Sequence, residues 1–269
     1  MILLGILASA GAGGAVAPSF LTSAPLWLDA SDSATITQSS GSVSQWDNKG
    51  TLENFVQVTG ASQPTTNATT LNGLNVIDFA ADFMNGQTLA NWKFMHDGTK
   101  YFIASVVKYG VSANPDTVFS LMGTSSFRSA NIGAYFVYDD RSSSSRTDRA
   151  VWIIFRGVSA SIAVAAEADN FITPNEFSVQ SALLDPSNAT AADRIDYYSD
   201  GTQGTADNTR TASPSSSNPS YTIQLGAGGN SEFPLTGSIA ELIVVSGSDA
   251  TETNRQATVD YLNTKWSVF

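Results

Sequence analysis

Residues Leu26–Gly50 read LWLDASDSATITQSSGSVSQWDNKG. With Pro25 ahead of it, the opening PLWLDA is a short apolar strand. From Ala34 to Asn48 apolar and polar residues alternate about a Ser-Gly turn at Ser40-Gly41, the pattern of a hairpin. A strand followed at once by a hairpin sets an antiparallel, all-β expectation for the chain that follows.

The remaining chain keeps to that pattern. FVQVTG (55–60) is a short strand, and NGLNVIDFA (72–80) is a turn leading into another. KYFIASVVKYG (100–110) is nearly continuous in apolar residues and reads as a fully buried strand. DTVFSLMG, IGAYFVYDD, AVWIIFRG, NEFSVQSALLD, RIDYYSDG, SYTIQLGAG and GSIAELIVVSG follow at sandwich-like spacing. About a dozen short strands with Gly, Asn, Asp and Ser turns predict a β-sandwich, and regular βαβ spacing is missing. RSSSSRTDR (141–149) and TASPSSSNPS (211–220) read as solvated connectors. The tail differs. Val259, Leu262 and Trp266 recur at helical spacing, and Asp249 with Glu252 suggests a capping box, which predicts a terminal helix over 249–266.

Composition agrees. The 269 residues suit one large domain plus a short extension, and 42% hydrophobic residues supply a core. Charged residues are only 14%, and the net charge is −11. Duplex nucleic acid and anionic membrane surfaces repel such a chain. With no cysteine, thiolate metal sites and thiol nucleophiles are excluded, and with His96 as the one histidine, so is a His-rich metal site.

The first residues, MILLGILASAGAGGAVAPSF, pose a separate question. No Lys or Arg precedes Lys49, so the positive start of an export leader is missing, and the apolar run is too short to span a membrane. The stretch reads as a retained docking peptide in which Met1, Ile2, Leu3, Leu4, Ile6 and Leu7 sit against another chain. An atypical export leader is the alternative. The domain expectation is a docking segment and Gly/Ala-rich neck over 1–24 and a sandwich over 25–269.

Three blocks carry a resemblance. LWLDASDSATITQSSGSVSQWDNKG, LNGLNVIDFAADFM (71–84) and LTGSIAELIVVSGSDATETNRQATVDYLNTKW (235–266) resemble, in order, the opening strands, second segment and closing strand-plus-helix of laminin-G-like domains. These are concanavalin A-like jelly-roll sandwiches of antiparallel sheets found in bacterial and phage surface proteins. The family's Lys-Ser-Gly-Asn-Gly turn is replaced by Asp47-Asn48-Lys49-Gly50-Thr51. MILLGILASAG also resembles the start of tailed-phage virion proteins that carry such a domain. The resemblance implies a non-enzymatic virion component on the particle surface. It would be docked to other virion proteins, homo-oligomeric (a trimer is one arrangement), and able to bind host-surface glycans. A secreted or cell-surface bacterial carbohydrate-binding domain is the alternative, and a glycoside hydrolase the third reading.

The candidate chemistry is sparse. Glucanases of this fold align acids on one strand, and retaining hydrolysis needs two carboxyls about 5–5.5 Å apart. Asp78 with Asp82, and Asp196 with Asp200, are spaced to share a face but adjoin turns. His96 reads as a turn residue before Gly98. No cofactor is required. Calcium, which takes oxygen ligands, would use Asp139, Asp140 and Asp148 in a rim loop, a site the resemblance suggests. Sugar binding would use Tyr135, Tyr138, Tyr197 and Tyr198 as stacking platforms, one of the adjacent pair facing outward. Trp27, Trp46 and Trp266 read as packing.

Overall fold

The structure is a computed structural model that describes residues 15–111, 116–120, 131–139, 149–156, 161–166, 172–204, 210–229 and 233–269. The opening block folds as read, into β1 (Leu26–Asp29), β2 (Ile36–Ser39) and β3 (Ser42–Trp46). Ser39 pairs with Ser42, so Ser40 and Gly41 form a two-residue turn, both at positive φ. Such turns match the twist of the strands they join. The same device joins β5 (Thr65–Leu71) to β6 (Leu74–Ala80) through Asn72 and Gly73, with β4 (Phe55–Val56) preceding them.

Next come β7 (Met84–Asn85), β8 (Tyr101–Tyr109), β9 (Asp116–Ser120), β10 (Ile132–Asp139), β11 (Arg149–Arg156) and β12 (Ser161–Ala166). The chain ends with β13 (Phe177–Leu184), β14 (Ile195–Ser199), β15 (Thr202–Gln203), β16 (Gln224–Leu225), β17 (Thr236–Ser246) and helix α1 (Glu252–Trp266).

Every strand pairing is antiparallel, as a jelly-roll sandwich requires. One sheet runs β15-β14-β13-β8-β17. On the far edge of β17, β6 pairs with its first half and β1 with its second. The other sheet runs β2-β3-β4-β7-β16-β9-β10-β11-β12, and a Ser42–Thr65 pair joins the two at a corner.

Strand periodicity divides the core in two. Tyr101, Ile103, Val107 and Tyr109 of β8 point between the sheets, where they meet Phe136 and Tyr138 of β10 and Leu242 of β17. Phe102, Ala104 and Val106 point the other way, under Val259, Leu262 and Trp266 of α1. Because the helix covers its outer face, β8 is apolar along nearly its whole length, Ser105 and Lys108 excepted.

The helix N-cap lies two residues later than its sequence suggests. Asp249 ends a short 3-10 turn, and Thr251 is the N-cap, its hydroxyl accepting from the Asn254 amide at 3.2 Å. Packing also reaches back before Pro25. Leu21, in a 3-10 turn over Ser19–Ser23, is buried with Ala24 in the helix-side core. The docking residues Met1, Ile2, Leu3, Leu4, Ile6 and Leu7 lie outside the described residues.

Candidate functional site

The pairing of β1 with β17 sets Asp29 directly opposite Glu241, and Trp27 opposite Ile243. Period-two alternation sends Leu26 and Leu28 into the inter-sheet core and turns Trp27 and Asp29 toward α1. Two carboxylates facing each other across a ladder repel. Here the last turn of α1 places Lys265 between them. Its Nζ donates to Asp29 Oδ1 at 2.6 Å and to Glu241 Oε2 at 2.7 Å.

Three aromatic donors hold Glu241. Trp27 Nε1 donates to Oε1 at 2.7 Å, Tyr261 Oη to the same oxygen at 3.0 Å, and Trp266 Nε1 to Oε2 at 2.8 Å. Asp29 is gripped from the opposite side. Lys49 Nζ donates to its Oδ2 at 3.1 Å, and the Ser31 hydroxyl and amide donate to Oδ1 at 2.7 and 3.1 Å. Lys49 also reaches Asp32 at 3.0 Å and lies 4.6 Å above the Trp27 ring. Glu241 has no exposed surface and Asp29 only 4%.

The environment separates the two acids. Burial opposes the Asp29 charge, but Lys265, Ser31 and Lys49 outweigh it and hold its carboxyl below the ordinary aspartate value. Burial, then the facing Asp29 carboxylate, push Glu241 upward against the pull of Lys265 and Trp266. Lys49 is raised, because Asp32 and Asp29 outweigh the cost of its burial.

Beside this cluster lies a cleft of about 580 Å³ whose lining includes Trp27, Asp29, Lys49, Asn72, Tyr261 and Lys265. Ser31 and Thr264 add hydroxyls, and Ala15, Ala17 and Leu74 an apolar edge. Such a mixture of ring edges and convergent polar groups suits a small polar ligand. Among the described residues, no three His, Asp or Glu side chains converge as a metal site, and no helix is long and apolar enough to cross a membrane.

The residues singled out from the sequence lie elsewhere. Tyr135, Tyr138 and Tyr197 are core side chains, at most 1% exposed, and offer no face to a sugar. Tyr138 stacks on Tyr109 with ring centroids 4.6 Å apart, and Tyr197 donates to the buried Gln180 amide oxygen. Tyr198 does turn outward, but the Arg255 guanidinium covers its ring at 3.5 Å. Among the described residues, Tyr221 and Phe269 are the aromatic side chains most open to solvent. Asp139 is the buried last residue of β10 rather than part of a rim loop, and Asp140 and Asp148 lie outside the described residues. Asp78 and Asp82 do not pair as acids: Asp78 accepts from the Ser238 hydroxyl at 2.6 Å, and Asp82 from the Ala80 amide at 3.0 Å. Asp196 and Asp200 likewise go to Gln203 and to the Val179 amide. Glu167 and Asp169 have the two-residue spacing that aligns acids on one strand, and they too lie outside the described residues. His96 is a turn residue, as read, and is buried there, with Nε2 donating to the Ser217 carbonyl at 2.9 Å.

The Asp29–Glu241–Lys265 cluster escaped the sequence reading. Its signal was a lone acid within each of two apolar strands, LWLD and IAELIVV. Acids are seldom buried without a partner.

The sequence matches no protein-family model and no curated protein. Among solved structures, the chain is similar to the botulinum neurotoxin serotype D binding domain at 12% identity and a TM-score of 0.48, covering 90% of this chain and 51% of that one. It is similar to an arabinofuranosidase complexed with arabinofuranosyl-α-1,2-xylobiose at 9% identity and a TM-score of 0.49, covering 91% and 60%. It is also similar to the NanB sialidase of Streptococcus pneumoniae at 12% identity and a TM-score of 0.48, covering 68% and 27%. The chain spans about half the length of the toxin domains it matches.

Proposed function

We propose that this protein is a non-enzymatic display module, a jelly-roll sandwich whose cleft beside β1 and α1 binds surface glycans weakly. The observation that carries this reading is the cleft itself. Ser31, Asn72 and Thr264 supply hydroxyl and amide groups of the kind that pair with sugar hydroxyls, and Trp27 and Tyr261 supply ring edges. The acids brought together there are not poised for glycoside hydrolysis. Asp29 and Glu241 share a lysine between them, and Glu241 is sealed from solvent. A general acid needs a proton and access to the leaving oxygen.

The finer reading is a tailed-phage virion component on the particle surface. The apolar residues Met1–Leu7 would seat it on neighbouring virion proteins, and several copies would bind host glycans by avidity. The alternative is a secreted or cell-surface bacterial carbohydrate-binding domain.

A glycan array probed with the wild-type chain and with Thr264→Trp, which fills the cleft, tests binding. Signal on a defined glycan class that the variant loses is the expected result. An array at background throughout, or a signal that Thr264→Trp leaves unchanged, overturns the glycan site. Intact mass of native material then separates the two settings. Retention of Met1 fits docking, and loss of about 15–25 residues fits an export leader.

A further inference from the structure

We propose that Lys265 and Asp29 condense to an intramolecular isopeptide bond, with Glu241 carrying the protons. The geometry supplies each part. The amine nitrogen lies 2.6 Å from the Asp29 carboxyl oxygen and 2.7 Å from the second carboxylate. Held proximity of this kind turns a slow bimolecular step into a unimolecular one. The amide-forming groups are largely buried, with the Asp29 side chain 6%, Lys265 13% and Glu241 0% exposed. Exclusion of water opposes hydrolysis of the product.

The two carboxyls have different parts. Asp29 is the electrophile, because Lys49 draws on Oδ2 and Ser31 on Oδ1, which leaves its carboxyl carbon electron-poor. Glu241 is fixed by Trp27, Tyr261 and Trp266 and faces the amine, the position of a proton carrier. The Lys265 ammonium passes a proton to Glu241, and the free amine attacks Asp29 Cγ. The new C–N bond forms as one carboxyl C–O bond breaks. The leaving oxygen departs as water with two of the three ammonium protons, and Glu241 returns to its starting state. No oxidant, reductant or co-reactant is consumed. The bond joins β1 to α1 across 236 residues of chain. This inference does not depend on the glycan or docking readings.

Intact-mass measurement of the purified full chain after overnight incubation tests it. The expected mass is about 18 Da below that of the sequence, the loss of one water. A proteolytic digest is expected to contain a linked peptide pair joining residues 29 and 265. Lys265→Arg and Glu241→Gln are expected at full sequence mass. Asp29→Asn is expected to give the same linked pair by loss of ammonia. Folded wild-type protein at full sequence mass overturns the bond, as does a water loss without the linked pair. Formation of the linked pair in Glu241→Gln overturns the role of Glu241. If a variant fails to fold, the wild-type digest alone decides.

Discussion

His96 shows how a single buried ring couples the fold to pH. Its Nε2 must carry the proton, because its partner is the Ser217 carbonyl, and the buried Nδ1 has no partner. Burial holds its pKa below the ordinary 6.5, beyond what the Ser217 carbonyl and Asp97 restore. A depressed folded pKa means the unfolded chain takes up the proton first. Stability is therefore full above pH 6.5 and falls as the pH drops below it toward the folded value. The melting temperature of the wild type is expected to decline between pH 7 and 5. His96→Gln, which keeps a donor without a titrating ring, is expected to flatten that decline. An equally steep decline in the variant would assign the acid sensitivity to carboxylates instead. The sequence could not reveal this residue's environment. His96 beside Asp97 and Gly98 has the local look of a turn, and its burial depends on Ser215–Ser217, more than a hundred residues away. The same holds for the stacking tyrosines: Tyr135, Tyr138 and Tyr197 are on strands, as read, but local pattern does not say which sheet face is covered.

Helix α1 seals the outer face of β8 with Val259, Leu262 and Trp266. Leu262 is fully buried against the outer face of β8 and β17, so Leu262→Ala is expected to destabilise by about 2–5 kcal/mol. Thr251→Ala removes only the cap and is expected to cost about 1 kcal/mol. Urea unfolding of the two variants checks both the size and the order of these effects. The helix was legible because its apolar residues recur at helical spacing, whereas its start was not. Asp249, Thr251 and Glu252 all favour a cap or a first turn, and the 3-10 turn over Gly247–Asp249 decides among them. The strands were legible for a similar reason. The Ser40-Gly41 and Asn72-Gly73 turns state their own geometry, and β8 declares two covered faces through its apolar run. The short strands β4, β7, β15 and β16 have two residues each, too few for any periodicity to register.

For the molecule as a whole, the order of three sequence blocks was enough to anticipate an antiparallel sandwich closed by a helix. It was not enough to foresee that the first and third blocks meet at an acid pair, because that contact depends on the register of β1 against β17. A bond across 236 residues would restrict the unfolded chain by about 5 kcal/mol on loop-entropy grounds. Lys265→Arg keeps a cation but not the reactive amine, and is expected to lose stability of that order in denaturant titration. Equal stability of the variant and wild type would mean that the lysine acts only as a counter-ion.

Strand β17 holds β1, β6 and β8 at once, yet it is the last strand to be made. During synthesis the three earlier strands must wait with open hydrogen-bonding edges until residues 236–246 have left the ribosome. Edges left open in this way recruit other chains. A chain stopped after residue 235 is therefore expected to collect in inclusion bodies rather than persist as a smaller soluble sandwich.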